Sequence, residues 1–172
     1  MILSDGQIEV FDGSTMAAID TFTTSASSAN SCKIADVDDD GTVEFAIVGG
    51  DYSNTYLQVY DANTFSLEWS STSYGNDDVE VGDVDNDQQS EIVLAEGIIL
   101  DGSTHTVEWS YTNGFGTEVD LADIDQDSMP EIIGMDSWDF ITAFDGQAHT
   151  PLWQINTEDD HDALYVTDIE GD

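Results

Sequence analysis

Short apolar runs recur along the chain, and Gly, Asp, Asn or Ser interrupts each of them. Within many runs apolar and polar positions alternate, which is typical of β-strands that bury one face. No stretch keeps the 3.6-residue apolar period of a helix for three turns. The pattern therefore predicts an all-β protein built from short strands.

One pair of strands occurs four times in the sequence. In each copy an apolar run ends in an Asp turn, often Asp-Gly, and a second β-like run follows, as in a hairpin. The turn residues, which are 49, 40 and 44 positions apart, are Asp12, Asp61, Asp101 and Asp145. Three of the second runs carry a tryptophan: Trp69, Trp109 and Trp153. The same turn chemistry at a similar spacing indicates an internal repeat.

A third strand leads into an acidic loop and a fourth strand leaves it. The third strands are predicted at 32–35, 79–82, 119–122 and 164–167, and the fourth at 45–48, 92–95 and 132–135. A repeat of about 40–49 residues with four short strands has the length and content of a propeller blade. Sandwich strands would also alternate, but they would not repeat the same turn and loop chemistry in order.

The fold class that follows is an all-β β-propeller of four-stranded antiparallel blades, with about four blades in one domain. The approximate blades are 1–43, 44–90, 91–130 and 131–172. Residues 2–4 occupy the place of a strand that leaves a loop, and residues 168–172 open a further loop. We therefore expect a segment of a longer protein, with a small closed ring of four blades as the alternative.

Three loops of nine residues carry carboxylates at positions 1, 3, 5 and 9. They are Asp36–Glu44, Asp83–Glu91 and Asp123–Glu131. The predicted carboxylate ligands are Asp36, Asp38, Asp40 and Glu44; Asp83, Asp85, Asp87 and Glu91; and Asp123, Asp125, Asp127 and Glu131. Position 7 would add a backbone carbonyl, from Thr42, Gln89 or Met129. A fourth, incomplete site would use Asp168, Glu170 and Asp172.

Oxygen-only coordination by several flexible carboxylates suits Ca²⁺, whereas Zn²⁺ prefers nitrogen or sulfur ligands. An EF-hand is excluded, because position 12 is Ile47, Leu94 or Gly134 and the flanking segments are strands. Solvated acidic turns are the alternative. The shared register of three loops argues against them, since gathered carboxylates repel one another without a cation. We expect the first site to be the strongest, because Gly41 suits a turn with positive φ; Gln88 and Ser128 stand at that position in the other two loops.

The amino-acid composition also limits the kinds of partner that the chain can bind. The chain has 172 residues, a single Lys or Arg against 38 Asp and Glu, and a formal net charge of −37. Such a surface cannot neutralise phosphates, so nucleic acid and anionic lipid are unlikely partners. No apolar run is long enough to insert directly into a membrane, and Cys32, the single cysteine, cannot form an internal disulfide.

At its acidic loops the chain resembles the FG-GAP/VCBS-type calcium-binding repeats, which are related to the integrin α-subunit propeller. Asp36–Glu44 matches that pattern fully, whereas Asp83–Glu91 lacks its Gly. Asp123–Glu131 also lacks the Gly but has Pro130. The resemblance implies a propeller, usually of seven blades, in which Ca²⁺ staples loops between strands. It also implies a secreted or surface protein that binds proteins or glycans.

Chemistry beyond metal binding has little support in the sequence. The hairpins resemble quinoprotein propellers, but the chain lacks the basic residues that an anionic quinone cofactor needs. We expect His105, His149 and His161 to be exposed turn residues, and Trp69, Trp109 and Trp153 to pack between blades. Trp138 is the better candidate for an exposed binding aromatic. No catalytic constellation is visible.

The sequence therefore predicts a calcium-binding extracellular or cell-surface module with a structural, adhesive or protein- or glycan-binding role. It has about three complete Ca²⁺ sites and contacts further blades or other chains. The alternative is an accessory or catalytic propeller domain of a secreted polysaccharide-degrading enzyme.

Overall fold

The computed structural model describes residues 6–24, 28–51, 54–138, 140–158 and 163–167. These residues form fourteen β-strands. The strands are β1 (Gln7–Phe11), β2 (Ala18–Thr23), β3 (Ala29–Ala35), β4 (Glu44–Asp51), β5 (Asn54–Asp61), β6 (Leu67–Ser71), β7 (Val79–Gly82), β8 (Glu91–Leu94), β9 (Ile98–Asp101), β10 (Val107–Ser110), β11 (Glu118–Ala122), β12 (Glu131–Met135), β13 (Phe140–Asp145) and β14 (Thr150–Asn156). In the described part of the chain we find no apolar helix long enough to span a bilayer.

The strands form one hairpin and three four-stranded antiparallel sheets. β1 pairs with β2, and the sheets have the orders β3-β4-β5-β6, β7-β8-β9-β10 and β11-β12-β13-β14. Each strand pairs with its sequence neighbours, as in a meander. We call the hairpin and the three sheets, in chain order, the first hairpin and sheets 1, 2 and 3. This arrangement confirms the predicted all-β propeller with four-stranded blades.

The sheets are offset by one strand from the predicted blades. They span residues 29–71, 79–110 and 118–156, whereas the predicted boundaries lie after each acidic loop. The reason is the pairing across the loops: β3 pairs with β4 from Ala35–Glu44 to Ala29–Gly49, with one shift of register between Ala29 and Ser31. Each acidic loop therefore connects two strands of one sheet. Residues 164–167, predicted as a strand, form none, because no described strand pairs with them.

Three apolar cores lie between successive sheets. Ile8 on β1 packs with Phe45 and Tyr60 of sheet 1. The second core joins sheets 1 and 2, and the third joins sheets 2 and 3. On β8 the side chains alternate between the two cores, since Ile92 belongs to the second and Val93 to the third. A middle strand is therefore apolar on both faces, which explains its continuous apolar sequence.

The hairpin turn of one sheet packs on the acidic loop of the preceding sheet. A Cβ atom on Gly102, in the β9–β10 turn, would lie 1.9 Å from the carbonyl oxygen of Val37. Gly146, in the β13–β14 turn, has the same relation to Val84, at 2.4 Å. These glycines allow the backbones of two neighbouring sheets to approach closely.

We expect Gly102→Ala to lower the free energy of unfolding by about 1–3 kcal/mol, because the added methyl group overlaps backbone of the preceding loop. Gly13→Ala is the matched control, since Gly13 follows the turn Asp of the first hairpin and nothing lies within 4 Å of its added Cβ. Urea denaturation measures both variants. Equal stability of the two variants would contradict this packing.

Candidate metal centres

Each acidic loop connects the first strand of a sheet to the second. The three loops lie between β3 and β4, between β7 and β8, and between β11 and β12. The sheets repeat the same strand order, so the three loops occupy equivalent places in successive blades. The predicted ligands are therefore presented three times by the same local scaffold.

Carboxylate oxygens converge in every loop. In each group below, one oxygen per residue lies within 4.8 Å of the corresponding oxygens of the other two. The groups are Asp36, Asp38 and Asp40; Asp83, Asp85 and Glu91; and Asp123, Asp125 and Asp127. Positions 1 and 3 thus meet in all three loops, as predicted, while the third member is position 5 in two loops and position 9 in one.

The glutamate at position 9 ties the end of each loop to its start. An Oε2 atom of Glu44 accepts a hydrogen bond from the amide of Val37 at 2.8 Å. Glu91 and Glu131 accept the equivalent bonds from Val84 and Ile124, also at 2.8 Å. All three glutamates are at most 5% exposed. These buried carboxylates hold the two ends of the loop together, which is a structural role in addition to the predicted ligand role.

The aspartate at position 1 holds the turn at position 6. Oδ2 of Asp36 accepts a hydrogen bond from the amide of Gly41 at 3.0 Å. The amides of Gln88 and Ser128 donate in the same way to Asp83 at 3.1 Å and to Asp123 at 3.0 Å. The loops therefore keep one backbone shape, although only the first has Gly at position 6.

Two positions in every loop have left-handed backbone. Position 6 has φ of 88° at Gly41, 73° at Gln88 and 78° at Ser128, so the predicted positive φ is confirmed in all three loops. Position 4 is also left-handed, with φ of 58° at Asp39, 65° at Asn86 and 66° at Gln126. The left-handed backbone at position 4 was not predicted from the sequence. The Asp, Asn and Gln found there are the only signal, and Asp and Asn tolerate this conformation better than most residues.

In each loop the aspartate at position 5 accepts a hydrogen bond from the amide of position 7. Oδ1 of Asp40 accepts a hydrogen bond from the amide of Thr42 at 2.7 Å. Asp87 uses both oxygens, accepting bonds from the amide and from the side-chain Nε2 of Gln89 at 2.8 and 2.9 Å. Asp87 is not a member of the second cluster. The amide of Met129 binds Asp127 at 2.8 Å in the third loop.

Burial shifts the protonation of the position-9 glutamates. Loss of solvent raises the pKa of Glu44 to about 7 and the pKa of Glu91 to about 8, and the neighbouring aspartates act in the same direction. The hydrogen bond from the loop amide opposes the shift. The pKa of Glu131 is raised for the same reasons. Each loop thus holds a carboxylate whose charge is costly without a nearby cation.

The donor sets fit a hard divalent cation. The clustered groups offer carboxylate oxygens alone, which is the ligand chemistry of Ca²⁺. In the first loop Oδ1 of Asp36 is shielded from solvent and accepts no hydrogen bond from the described residues. A buried carboxylate oxygen normally has a partner, and a coordinated cation would supply one here. Asp36, Asp38 and Asp40 would hold that ion, next to the buried carboxylate of Glu44.

The loops also make contacts between sheets. Oδ2 of Asp39 accepts a hydrogen bond from the amide of Ser90 at 2.6 Å, and its Oδ1 accepts one from the Ser90 hydroxyl at 3.0 Å. These bonds join the first loop to the second. The side-chain amide of Gln147, in the β13–β14 turn, donates to the carbonyl of Asp85 at 2.9 Å. Loop shape is therefore coupled to blade packing.

The histidine and tryptophan predictions are partly corrected. His149 is an exposed turn residue, as predicted, whereas His105 is half-buried. Both rings stack on a tryptophan, His105 on Trp69 and His149 on Trp109, with ring centroids 4.2 and 4.9 Å apart. Trp69 and Trp109 pack between sheets, as predicted, but Trp153 is 42% exposed.

Trp138 lies in the connection between β12 and β13, away from the acidic loops. It is 77% exposed, as predicted, and its amide donates to Asp136 at 2.8 Å. Lys33, the single basic residue other than histidine, forms an ion pair with Glu80 between β3 and β7. The predicted fourth site, at Asp168, Glu170 and Asp172, lies outside the described residues, as does His161.

The fold is similar to those of 64 chains of known structure. One is the crystal structure of BamB from Moraxella catarrhalis, a β-propeller, with a TM-score of 0.55 and 16% sequence identity. The match covers 90% of this chain and 47% of that one, so the chain spans about half the length of that neighbour. No protein-family model and no curated protein matches the chain. At this identity the similarity supports the propeller fold alone.

When a chelator has removed divalent ions, we expect the melting temperature of the protein to rise as the pH falls from 8 to 5.5. Since burial raises the folded pKa of Glu44 and Glu91 above the unfolded value, the folded state binds more protons in this window and gains stability on acidification. Circular dichroism during heating measures the effect. Glu91→Gln, which keeps an oxygen for the Val84 amide, should flatten the pH dependence, and the exposed Glu158→Gln should not. Identical pH profiles of the two variants would contradict the assignment.

Proposed function

We propose that this chain is a calcium-binding β-propeller module of an extracellular or cell-surface protein, with a structural or adhesive role toward a protein or glycan partner. The carrying observation is the threefold convergence of carboxylate oxygens within 4.8 Å on equivalent loops of successive sheets. One such cluster on an acidic surface would have little weight. Three clusters on one repeated backbone support a common ligand.

The net charge gives a physical reason for the ion. A chain with a formal net charge of −37 repels itself in the folded state. The repulsion is concentrated where three or four carboxylates share one loop, and Lys33 is already paired with Glu80. Divalent cations at the loop centres would remove this repulsion where it is greatest.

The loops are also where binding would stabilise the fold. Gly102 and Gly146 pack on Val37 and Val84, the second residues of the first and second loops. An ion that fixes those loops would fix the surface on which the next sheet packs. The proposed role of Ca²⁺ is therefore to hold successive blades together. Millimolar external Ca²⁺ would keep even weak sites filled, whereas a resting cytosol would not, and we therefore propose an extracellular location.

The second part of the proposal concerns the surface that contacts the protein or glycan partner. Trp138 is the exposed aromatic that best suits it, since aromatic side chains are enriched in binding surfaces and its ring is 77% exposed. It lies outside the register of the tryptophans that pack between sheets. The resemblance of the loops to FG-GAP/VCBS-type repeats supports the same kind of role.

Equilibrium dialysis with radioactive Ca²⁺ tests the metal proposal directly. We expect Asp36→Asn to bind one ion fewer per chain than the wild type, because the first loop loses a charged ligand. Asp20→Asn is the matched control, since Asp20 lies on β2 outside the loops. A wild-type chain that binds no Ca²⁺ at millimolar concentration, or an Asp36→Asn variant with unchanged stoichiometry, would contradict the proposal.

Thermal unfolding tests the structural role. At neutral pH we expect millimolar Ca²⁺ to raise the melting temperature by many degrees over the value in EDTA, since ligand binding to the folded state adds to its stability. Mg²⁺ at the same concentration is the control for general screening, because it retains its waters and suits these loops less well. Equal melting temperatures in Ca²⁺ and EDTA would exclude the proposed role.

A further inference from the structure

One aromatic contact is repeated at every interface between successive sheets. A ring on the last strand of one sheet, or of the first hairpin, stacks on a ring in the hairpin turn of the next sheet. The pairs are Phe22 with Phe65, Trp69 with His105, and Trp109 with His149, with ring centroids 5.6, 4.2 and 4.9 Å apart. The interplanar angles are 20°, 10° and 14°. The contact is therefore part of how one blade receives the next.

The turn half of the contact has a fixed backbone conformation. In each hairpin it is the residue four positions after the turn Asp, and its φ is 57° or 58°. The four residues are Met16, Phe65, His105 and His149. In the first three hairpins its amide donates to the carbonyl of the turn Asp, at 2.8–2.9 Å. A left-handed Met or Phe is uncommon, and the recurrence of this conformation indicates a position shaped for the contact.

The two ends of the described structure present one half of this contact each. Met16 has the conformation of the turn half, and its side chain is 73% exposed. Trp153 has the register of the ring half: it lies opposite Ala143, as Trp69 lies opposite Val59. Trp153 is 42% exposed, and among the described residues no aromatic ring stacks on it.

A second contact between sheets also has one half at each end of the described structure. Phe144 precedes the turn Asp of sheet 3 and contacts the rings of Trp109 on β10 and of Tyr111, which directly follows that strand, with ring centroids 6.2 and 5.1 Å apart. The equivalent of Phe144 on the first hairpin is Phe11, before Asp12. The equivalent of Tyr111 on β14, two residues after the tryptophan, is Ile155, which is 50% exposed. Each end thus carries two matching positions.

We infer that a second copy of this chain docks head to tail, with Trp153 and Ile155 of one copy packed on Met16 and Phe11 of the other. The contact continues the interface that already joins the sheets within one chain. A Met thioether against a Trp ring is a favourable pairing. The chain carries both halves of the contact at opposite ends, and docking of two identical ends would bring ring halves together with no turn to receive them.

The net charge sets the conditions under which this association is measured. Because each copy has a formal net charge of −37, association requires cations and should be measured in millimolar Ca²⁺ with added salt. Calcium stoichiometry is measured separately, so failure of the metal proposal is distinguishable from failure of this one.

Sedimentation equilibrium of the wild-type chain, compared with Met16→Asp and Trp153→Asp, tests the inference. We expect the wild-type mass to rise with concentration from 18.7 kDa to at least twice that value, and each variant alone to remain monomeric. An equimolar mixture of the two variants should regain dimers, because each retains the end that the other lacks. Trp138→Asp, which changes an exposed tryptophan elsewhere, is the control and should associate like the wild type.

Circular dichroism establishes that each variant is folded before its mass is interpreted. Masses above two copies also support the inference, because head-to-tail contacts need not close. A wild-type chain that stays at 18.7 kDa at every concentration overturns it. So does equal association of the Trp153→Asp and Trp138→Asp variants, or a mixture of Met16→Asp and Trp153→Asp that is no more associated than either alone.

Discussion

Mutual repulsion of carboxylates at the acidic loops is the constraint on which the rest of this structure depends. Each loop gathers three carboxylate oxygens within 4.8 Å of one another and contains a glutamate that is at most 5% exposed, which in the second loop is itself a member of the cluster. Hydrogen bonds from loop amides offset part of the cost, as at Glu44 and Asp36. They leave Oδ1 of Asp36 without a partner among the described residues. The proposed cation at the loop centre would offset this repulsion.

The loops matter beyond their own residues because they form part of the packing between sheets. Gly102 packs its turn on Val37, and Asp39 binds Ser90 of the neighbouring loop. The same turns make a second set of contacts, because His105 and His149 stack on tryptophans of the last strand of the preceding sheet. Successive blades are therefore joined by polar loop contacts and by aromatic contacts. In our proposals, bound ions stabilise the first kind of contact, and a second copy of the chain extends the second kind.

Much of the fold could be predicted from the sequence because every repeat has similar residues in its turns and loops. The Asp turns, the positions of the strands and the nine-residue loops follow from local preferences. Blade boundaries could not, since whether β6 pairs with β7 depends on tertiary packing. The stacking of His105 on Trp69 was also missed, because the left-handed backbone at residue 105 has no signature in the residue type. The diversion of Asp87 to Gln89 depends on one side-chain conformation and has no sequence signal.

A crystal structure grown from calcium-containing solution, with anomalous difference density measured at long wavelength, tests the central claim most directly. The account predicts a peak at the centre of each of the three loops, coordinated by Asp36 and Asp38, by Asp83 and Asp85, and by Asp123 and Asp125. Refined distances should be about 2.3–2.6 Å, as for Ca²⁺ bound by oxygen. Water without anomalous signal at all three centres would contradict it.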